Sequence, residues 1–124
     1  MRFLVVDDAH HVRASLRAVL ELEAGWHVVG ETADPSAAPS LTRYLHPDVV
    51  LLDADLPGVD SIRLGQELRQ RAAVVLLTVH DSPQIAAAAR DSGIDLCIAK
   101  GEGVSGLLTQ LRRAFAGHLI VAHA

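Results

Sequence analysis

The sequence predicts an α/β fold built on a parallel sheet. Three observations carry that reading: five short aliphatic runs recur along the 124 residues, stretches with helical spacing separate them, and the runs end at polar or charged residues. Apolar runs that do not alternate belong to strands covered on both faces. Strands that alternate with helices require right-handed crossovers and parallel pairing.

Residues 2–6 form the first strand, because Phe3, Leu4, Val5 and Val6 are unbroken and stop at Asp7-Asp8. From about His10 the spacing of Val12, Leu16, Val19 and Leu20 gives a helix, which Gly25 ends. Trp26-His27-Val28-Val29-Gly30 is a second strand at a sheet edge. A helix through Ala37, Ala38, Leu41 and Leu45 follows, weakened by Pro35 and Pro39 at its start. Val49-Val50-Leu51-Leu52, bounded by His46-Pro47-Asp48 and by Pro57-Gly58, is the central strand and delivers Asp53 at its last residue. Residues 60–71 set Ile62, Leu64 and Leu68 among polar positions, as a surface helix does. Ala73 to Thr78 is the fourth strand.

Asp81-Ser82-Pro83 starts the next helix, with Ser82 as N-cap and Pro83 at the first helical position, and Gly93 closes it. Its centre, Ala86-Ala87-Ala88-Ala89, has few large side chains to anchor it, so this helix is expected to be mobile. Asp95 to Ala99 is a fifth strand ending at Lys100, and Leu107, Leu108, Leu111 and Phe115 stripe a last helix closed by Gly117. The whole is a (βα)5 doubly wound sheet with the flavodoxin-like strand order 2-1-3-4-5. One domain covers 1–117, and 118–124 begin a linker or C-terminal tail.

The composition narrows the function. Half the residues are hydrophobic and 21% are charged, as in a globular domain of one core. No apolar run approaches the roughly 18 residues of a membrane span, and the N-terminal run is too short for a signal-peptide core of about 7 to 15 residues, so a cytoplasmic location is expected. The single Cys97 allows no internal disulfide and fits that compartment. A net charge of −4 argues against nucleic-acid binding by this domain alone and points to a protein partner.

In a sheet of this order the first and third strands are neighbours where the winding reverses, and ligands bind outside their carboxyl ends. Those ends carry Asp7-Asp8 and Asp53. Carboxylates about 4 Å apart repel by roughly 4 kcal/mol per pair at an effective dielectric near 20, so the cluster needs a cation or a proton. A few hard oxygen ligands favour Mg²⁺, which binds through one or two carboxylates and keeps waters or a phosphate. Thr78 and Lys100 end the fourth and fifth strands at the same edge, where a hydroxyl and a cation can contact a phosphoryl group on Asp53.

With Asp7-Asp8, Asp53 followed by Leu56-Pro57-Gly58, Thr78 and Lys100 at this joint spacing, the chain resembles the receiver domain of two-component response regulators over nearly its whole length. The resemblance implies that Asp53 accepts a phosphoryl group and that Asp8 binds Mg²⁺ directly. It also implies that Asp7 binds the ion through water, that the Asp55 carbonyl completes the site, that Thr78 contacts the phosphoryl group, and that Lys100 pairs with it. The partner so implied is a sensor histidine kinase, and the chain is a switch rather than an enzyme. The run Leu107-Leu108-Thr109-Gln110-Leu111-Arg112-Arg113 after Lys100 looks like the NarL/LuxR-type branch. That branch implies a helix-turn-helix domain, outside this chain, for any contact with DNA and transcription, and homodimerisation through the 83–117 face is expected. No membrane partner is expected.

Departures from the family pattern shape the expectation. Cys97 stands where the family has Tyr or Phe, so an inward swing of that ring cannot be the switch, and a muted switch or one carried by the alanine-rich helix is expected. Cys97 itself reads as a buried, inert small hydrophobe. Val79 follows Thr78 where a smaller residue is usual and is expected to limit access of water to Asp53, while Gly101 replaces the usual proline after the lysine. His10 and His11 read as surface histidines at a helix start.

Two rival readings stand beside the switch. A phosphatase or phosphotransferase of the haloacid-dehalogenase type matches Asp53-Ala54-Asp55, but its metal-binding acids follow the lysine, whereas here they precede the nucleophile. A degenerate receiver that binds a protein without being phosphorylated is the other, opposed by the intact set of Asp7, Asp8, Asp53, Thr78 and Lys100.

Overall fold

Unbroken aliphatic runs pair side by side in the computed structural model, which describes residues 1–79 and 82–123, and the backbone alone for Glu102 and 116–123. The strands are β1 (Arg2–Val6), β2 (His27–Thr32), β3 (Val49–Asp53), β4 (Ala73–Thr78) and β5 (Leu96–Ala99). All pairings are parallel, in the order β2-β1-β3-β4-β5. Between them run α1 (His10–Leu20), α2 (Ala38–Leu45), α3 (Ser61–Leu68), α4 (Pro83–Asp91) and α5 (Gly103–His123). This is the flavodoxin-like (βα)5 architecture that the alternation of elements predicts.

Every residue of β3 is buried, and the sheet carries an apolar layer on each face. One layer joins Phe3, Val5, Leu51 and Leu77 to Leu16 and Leu20 of α1 and to Leu107, Leu108, Leu111 and Phe115 of α5. The other joins Leu4, Val50, Leu52 and Leu76 to Ala38 of α2, Leu68 of α3 and Ala89 of α4. Residues one apart on a strand point to opposite faces, which is why an unbroken run serves both layers. In α3, a Cβ on Gly65 would sit 3.0 Å from Ile94 Cδ1 and 3.3 Å from Val74 Cγ1, so glycine lets this helix lie close on the sheet.

Some elements differ from the sequence expectation. Trp26 lies just ahead of β2, its ring packed 5.1 Å from that of Phe3, and β2 runs on to Thr32 because it pairs along all of β1. The proline-crowded start of α2 resolves into a separate 3-10 turn at Pro35–Ala37, capped by the Asp34 side chain on the Ser36 amide at 2.9 Å. Ser82 caps α4 through the Ile85 amide, while Asp81 lies outside the described residues. Gly117 does not close the last helix, which continues to His123. A mid-helix glycine costs only about 1 kcal/mol against alanine, so its presence alone need not stop a helix.

The register fixes what meets at the carboxyl edge. Val6 pairs with Leu52, Asp53 with Leu77, and Thr78 with Ala99. The residues that follow β1 and β5, Asp7 and Lys100, therefore flank Asp53 and Thr78.

Candidate functional site

Asp53 is the last residue of a strand with no exposed position, and it is itself only 3% exposed. Its Oδ1 accepts the Asp55 amide at 2.9 Å, and its carbonyl accepts the Ser61 hydroxyl at 3.0 Å from the first turn of α3. The turn after β3 thus folds back on the acid that begins it, as Asp-initiated turns do. Asp7 is 2% exposed; its Oδ1 accepts the Ala9 amide at 2.9 Å, and its carbonyl accepts Arg13 Nη1 at 2.8 Å. Asp8, the next residue, is exposed.

Asp7, Asp8 and Asp53 each bring a carboxylate oxygen to within 4.8 Å of the others. Lys100 reaches in from the end of β5, its Nζ 3.2 Å from Asp7 Oδ2 and 3.3 Å from Asp53 Oδ1. Burial, with the charge of Asp7, holds the Asp53 carboxyl above its ordinary 3.8, although the Asp55 amide and Lys100 act to lower it. Burial works to lower Lys100, but the charges of Asp53 and Asp7 outweigh it and raise the ammonium above its ordinary 10.5. Lys100 is thus paired with two of the three acids. The cluster retains net negative charge, all from hard oxygens, and one of its acids opens to solvent. These are the conditions that suit Mg²⁺ with its waters.

Thr78 is 2% exposed at the end of β4, beside Lys100 through the pairing of Thr78 with Ala99. Val79 follows it and is 60% exposed. The Asp55 side chain does not turn toward Asp53: its Oδ2 accepts the Val79 amide at 2.8 Å, joining the loop after β3 to the loop after β4. Asp7, Asp8, Asp53, Thr78 and Lys100 thus share one edge, and Asp55 sits at its rim.

Cys97 is half-buried rather than buried, on edge strand β5, with its thiol pushed above the ordinary 9.0 by burial and by the charge of Asp55. His10 and His11 are exposed at the start of α1, as expected. Among the described residues no helix is long and apolar enough to cross a membrane. Ser61 and Arg13 escaped the sequence reading. Arg13 lies one position after Val12 on the apolar flank of its helix, which was a usable signal; Ser61 follows a helix cap and offered none.

Comparison with known proteins agrees with this geometry. The family described as the response regulator receiver domain matches residues 3–112. The response regulator UvrY of Escherichia coli K12 is 30% identical over 122 residues, 96% of this chain and 56% of UvrY. The nitrate/nitrite response regulator protein NarP of the same organism is 32% identical over 117 residues, 92% of this chain and 54% of NarP. The chain thus spans little more than half the length of these relatives. Among solved structures, a LuxR-family two-component response regulator from Aurantimonas sp. SI85-9A1 superposes with a TM-score of 0.85 at 31% identity, over 94% of this chain and 85% of that one. The signal receiver domain of a NarL from Mycobacterium tuberculosis gives 0.82 at 29% identity, over 94% and 96%. With a family match from the first strand into the last helix and these relatives, the chain belongs to the response regulator receiver domains of two-component signalling, in their NarL/LuxR-type branch.

Proposed function

We propose that this receiver is a phosphoacceptor switch in which Asp53 takes a phosphoryl group from a phosphohistidine of a sensor histidine kinase. The observation that carries the reading is the convergence of Asp7, Asp8 and Asp53 within 4.8 Å, with Lys100 3.3 Å from Asp53. Asp53 Oδ1 is held by the Asp55 amide and Lys100, which leaves Oδ2 as the attacking oxygen. A bond forms from Oδ2 to phosphorus as the phosphorus–nitrogen bond breaks, and the leaving imidazole nitrogen takes up a proton. Lys100 holds positive charge beside the growing charge on the phosphoryl oxygens, and the Thr78 hydroxyl contacts one of them.

By likeness to the family, Asp8 and Asp53 would hold Mg²⁺ directly and Asp7 through water, and the Asp55 carbonyl would complete the set. The ion supplies neutralising charge to the transferring phosphoryl group when bound. The receiver unit is residues 1–117 and 118–124 begin a linker or tail, carried as a continuation of α5 as far as His123. Output passes to a helix-turn-helix DNA-binding domain beyond this chain or to a protein partner, with dimerisation through the 83–117 face, and the cytoplasm is its compartment.

Intact-mass measurement after incubation with Mg²⁺ and acetyl phosphate tests the reading. An added phosphoryl mass that Asp53→Asn abolishes is expected. No added mass points to a phosphorylation-independent interaction module, and steady turnover of phosphate esters points to a hydrolase. Val79 follows Thr78 with 60% of its surface exposed, and its bulk beside the site is taken to limit access of water to Asp53. The phosphoform is therefore expected to be long-lived and Val79→Ala to shorten its half-life about threefold, a barrier change below the roughly 1.4 kcal/mol of a tenfold effect. An unchanged half-life sinks that access argument.

A further inference from the structure

The Asp55 carboxylate has no part in the phosphoacceptor reading, which uses only its backbone carbonyl, yet it makes a specific contact. Its Oδ2 accepts the Val79 amide at 2.8 Å, while its own amide donates to Asp53 Oδ1 at 2.9 Å. One residue therefore spans from the acceptor carboxylate to the first residue after the strand that ends in Thr78. The Ala54 amide at this edge is tied to an acceptor a phosphoryl group would not disturb, the Leu77 carbonyl at 2.7 Å. The Val79 amide is held instead by a solvent-exposed carboxylate, on a residue only two positions from where new charge arrives.

We propose that Asp55 is an electrostatic latch on the loop after β4, closed in the resting protein and opened by phosphorylation of Asp53. The inference rests on Asp53 being the acceptor. A phosphoryl group brings about −1.5 to −2 charges and strong acceptor oxygens. Placed on Asp53, it repels the Asp55 carboxylate across the length of one residue and offers the Val79 amide a more strongly charged acceptor. The Asp55 side chain then swings to solvent, and Val79 is drawn toward the phosphoryl group.

Val79 lies four positions before Pro83, where α4 begins, so its displacement acts on the start of a helix held to the core mainly through Ala89. This supplies a two-state element that needs no aromatic ring at position 97. The same carboxylate stands at the mouth of an already acidic site and opposes the approach of an anionic phosphodonor. Asp55 is thus a positioning residue in the resting state and a brake on phosphoryl uptake.

The test compares wild type with Asp55→Asn, which keeps an acceptor for the Val79 amide and loses the charge, and Asp55→Ala, which loses both. Uptake of phosphoryl mass from acetyl phosphate is followed at saturating Mg²⁺, and the Val79 amide is followed by NMR shift and hydrogen exchange. Uptake about fivefold faster in both variants is expected from removal of one nearby like charge. In wild type the Val79 amide should shift on phosphorylation. In resting Asp55→Ala it should exchange faster than in wild type, with Asp55→Asn restoring the protection. Phosphorylation of wild type with unchanged uptake in both variants, or a Val79 amide that does not respond to it, overturns the latch alone. No mass gain in any of the three proteins overturns the acceptor reading and the latch with it.

Discussion

Lys100 decides whether the acidic edge is tolerable without a metal. It is the cation that Asp7 and Asp53 share, and its side chain keeps only a quarter of its surface exposed. Lys100→Met should cost about 2 kcal/mol in chelator, below the range for a fully buried pair because the site is open on one side. Millimolar Mg²⁺ should restore much of that loss, since a ligand of the folded state stabilises by mass action; urea unfolding with and without the ion measures both. Glu31 makes a second prediction. Burial acts to raise its carboxyl, but hydrogen bonds from Arg13 and Arg17, each 3.1 Å away, outweigh it and hold the group below 4.5. The folded state therefore binds this proton less tightly than the unfolded chain. The stabilisation is complete above pH 4.5 and is lost as pH falls through the lower folded value. Glu31→Gln should lower stability by about 1 kcal/mol at pH 7 and lose the difference from wild type in acid, as denaturant midpoints across pH will show. At this scale, groups at strand ends were legible, because a buried run must stop at something polar. The bonds of Asp55 to Val79 and of Ser61 to Asp53 were not, since loop paths set them and no periodicity encodes a loop path.

Helix ends are where elements departed from expectation. Gly117 read as a stop because glycine commonly follows a last helical turn, yet α5 passes through it. The reverse happens at α2, whose end has no glycine. His46 takes the left-handed conformation there, with φ of 51° and ψ of 56°, and its amide bonds the Thr42 carbonyl at 3.2 Å. Arg2 then reaches from β1 to the carbonyls of Leu45 and His46, so side-chain donors satisfy the open end of the helix. A residue with a Cβ pays about 1 kcal/mol for that backbone. His46→Gly should recover about 0.5 to 1 kcal/mol, visible as a rise in melting temperature of a few degrees, because the arginine contacts involve backbone carbonyls that glycine retains. Loss of stability instead would show that the imidazole itself contributes.

In the whole molecule, two apolar layers grip one sheet, and α1 and α5 close one of them. Leu111 is fully buried where α5 meets that layer. Leu111→Ala should cost about 2 to 5 kcal/mol, for the lost transfer energy and the cavity left behind. Thermal unfolding checks it; a loss under 1 kcal/mol would mean that α5 is not integral to the domain. The architecture was legible from β3 outward, because a strand of four aliphatics with no polar face can only be central, and the alternation of helices then allows few topologies. What pattern could not supply was the depth of the edge strand. Cys97 sits in a run as apolar as the others, but β5 has a neighbour on one side only and leaves the thiol half-exposed.

That exposure gives the molecule a chemical clock. The chain has one sulfhydryl, so a thiol-specific reagent or dye marks a single atom. The site marked lies beside Ala86, Ala89 and Arg90, on the flank of α4. Burial and the charge of Asp55 raise its thiol pKa, which slows its reaction with such a reagent. Movement of α4 away from β5 is therefore recorded as mass or fluorescence at one position, with no engineered cysteine.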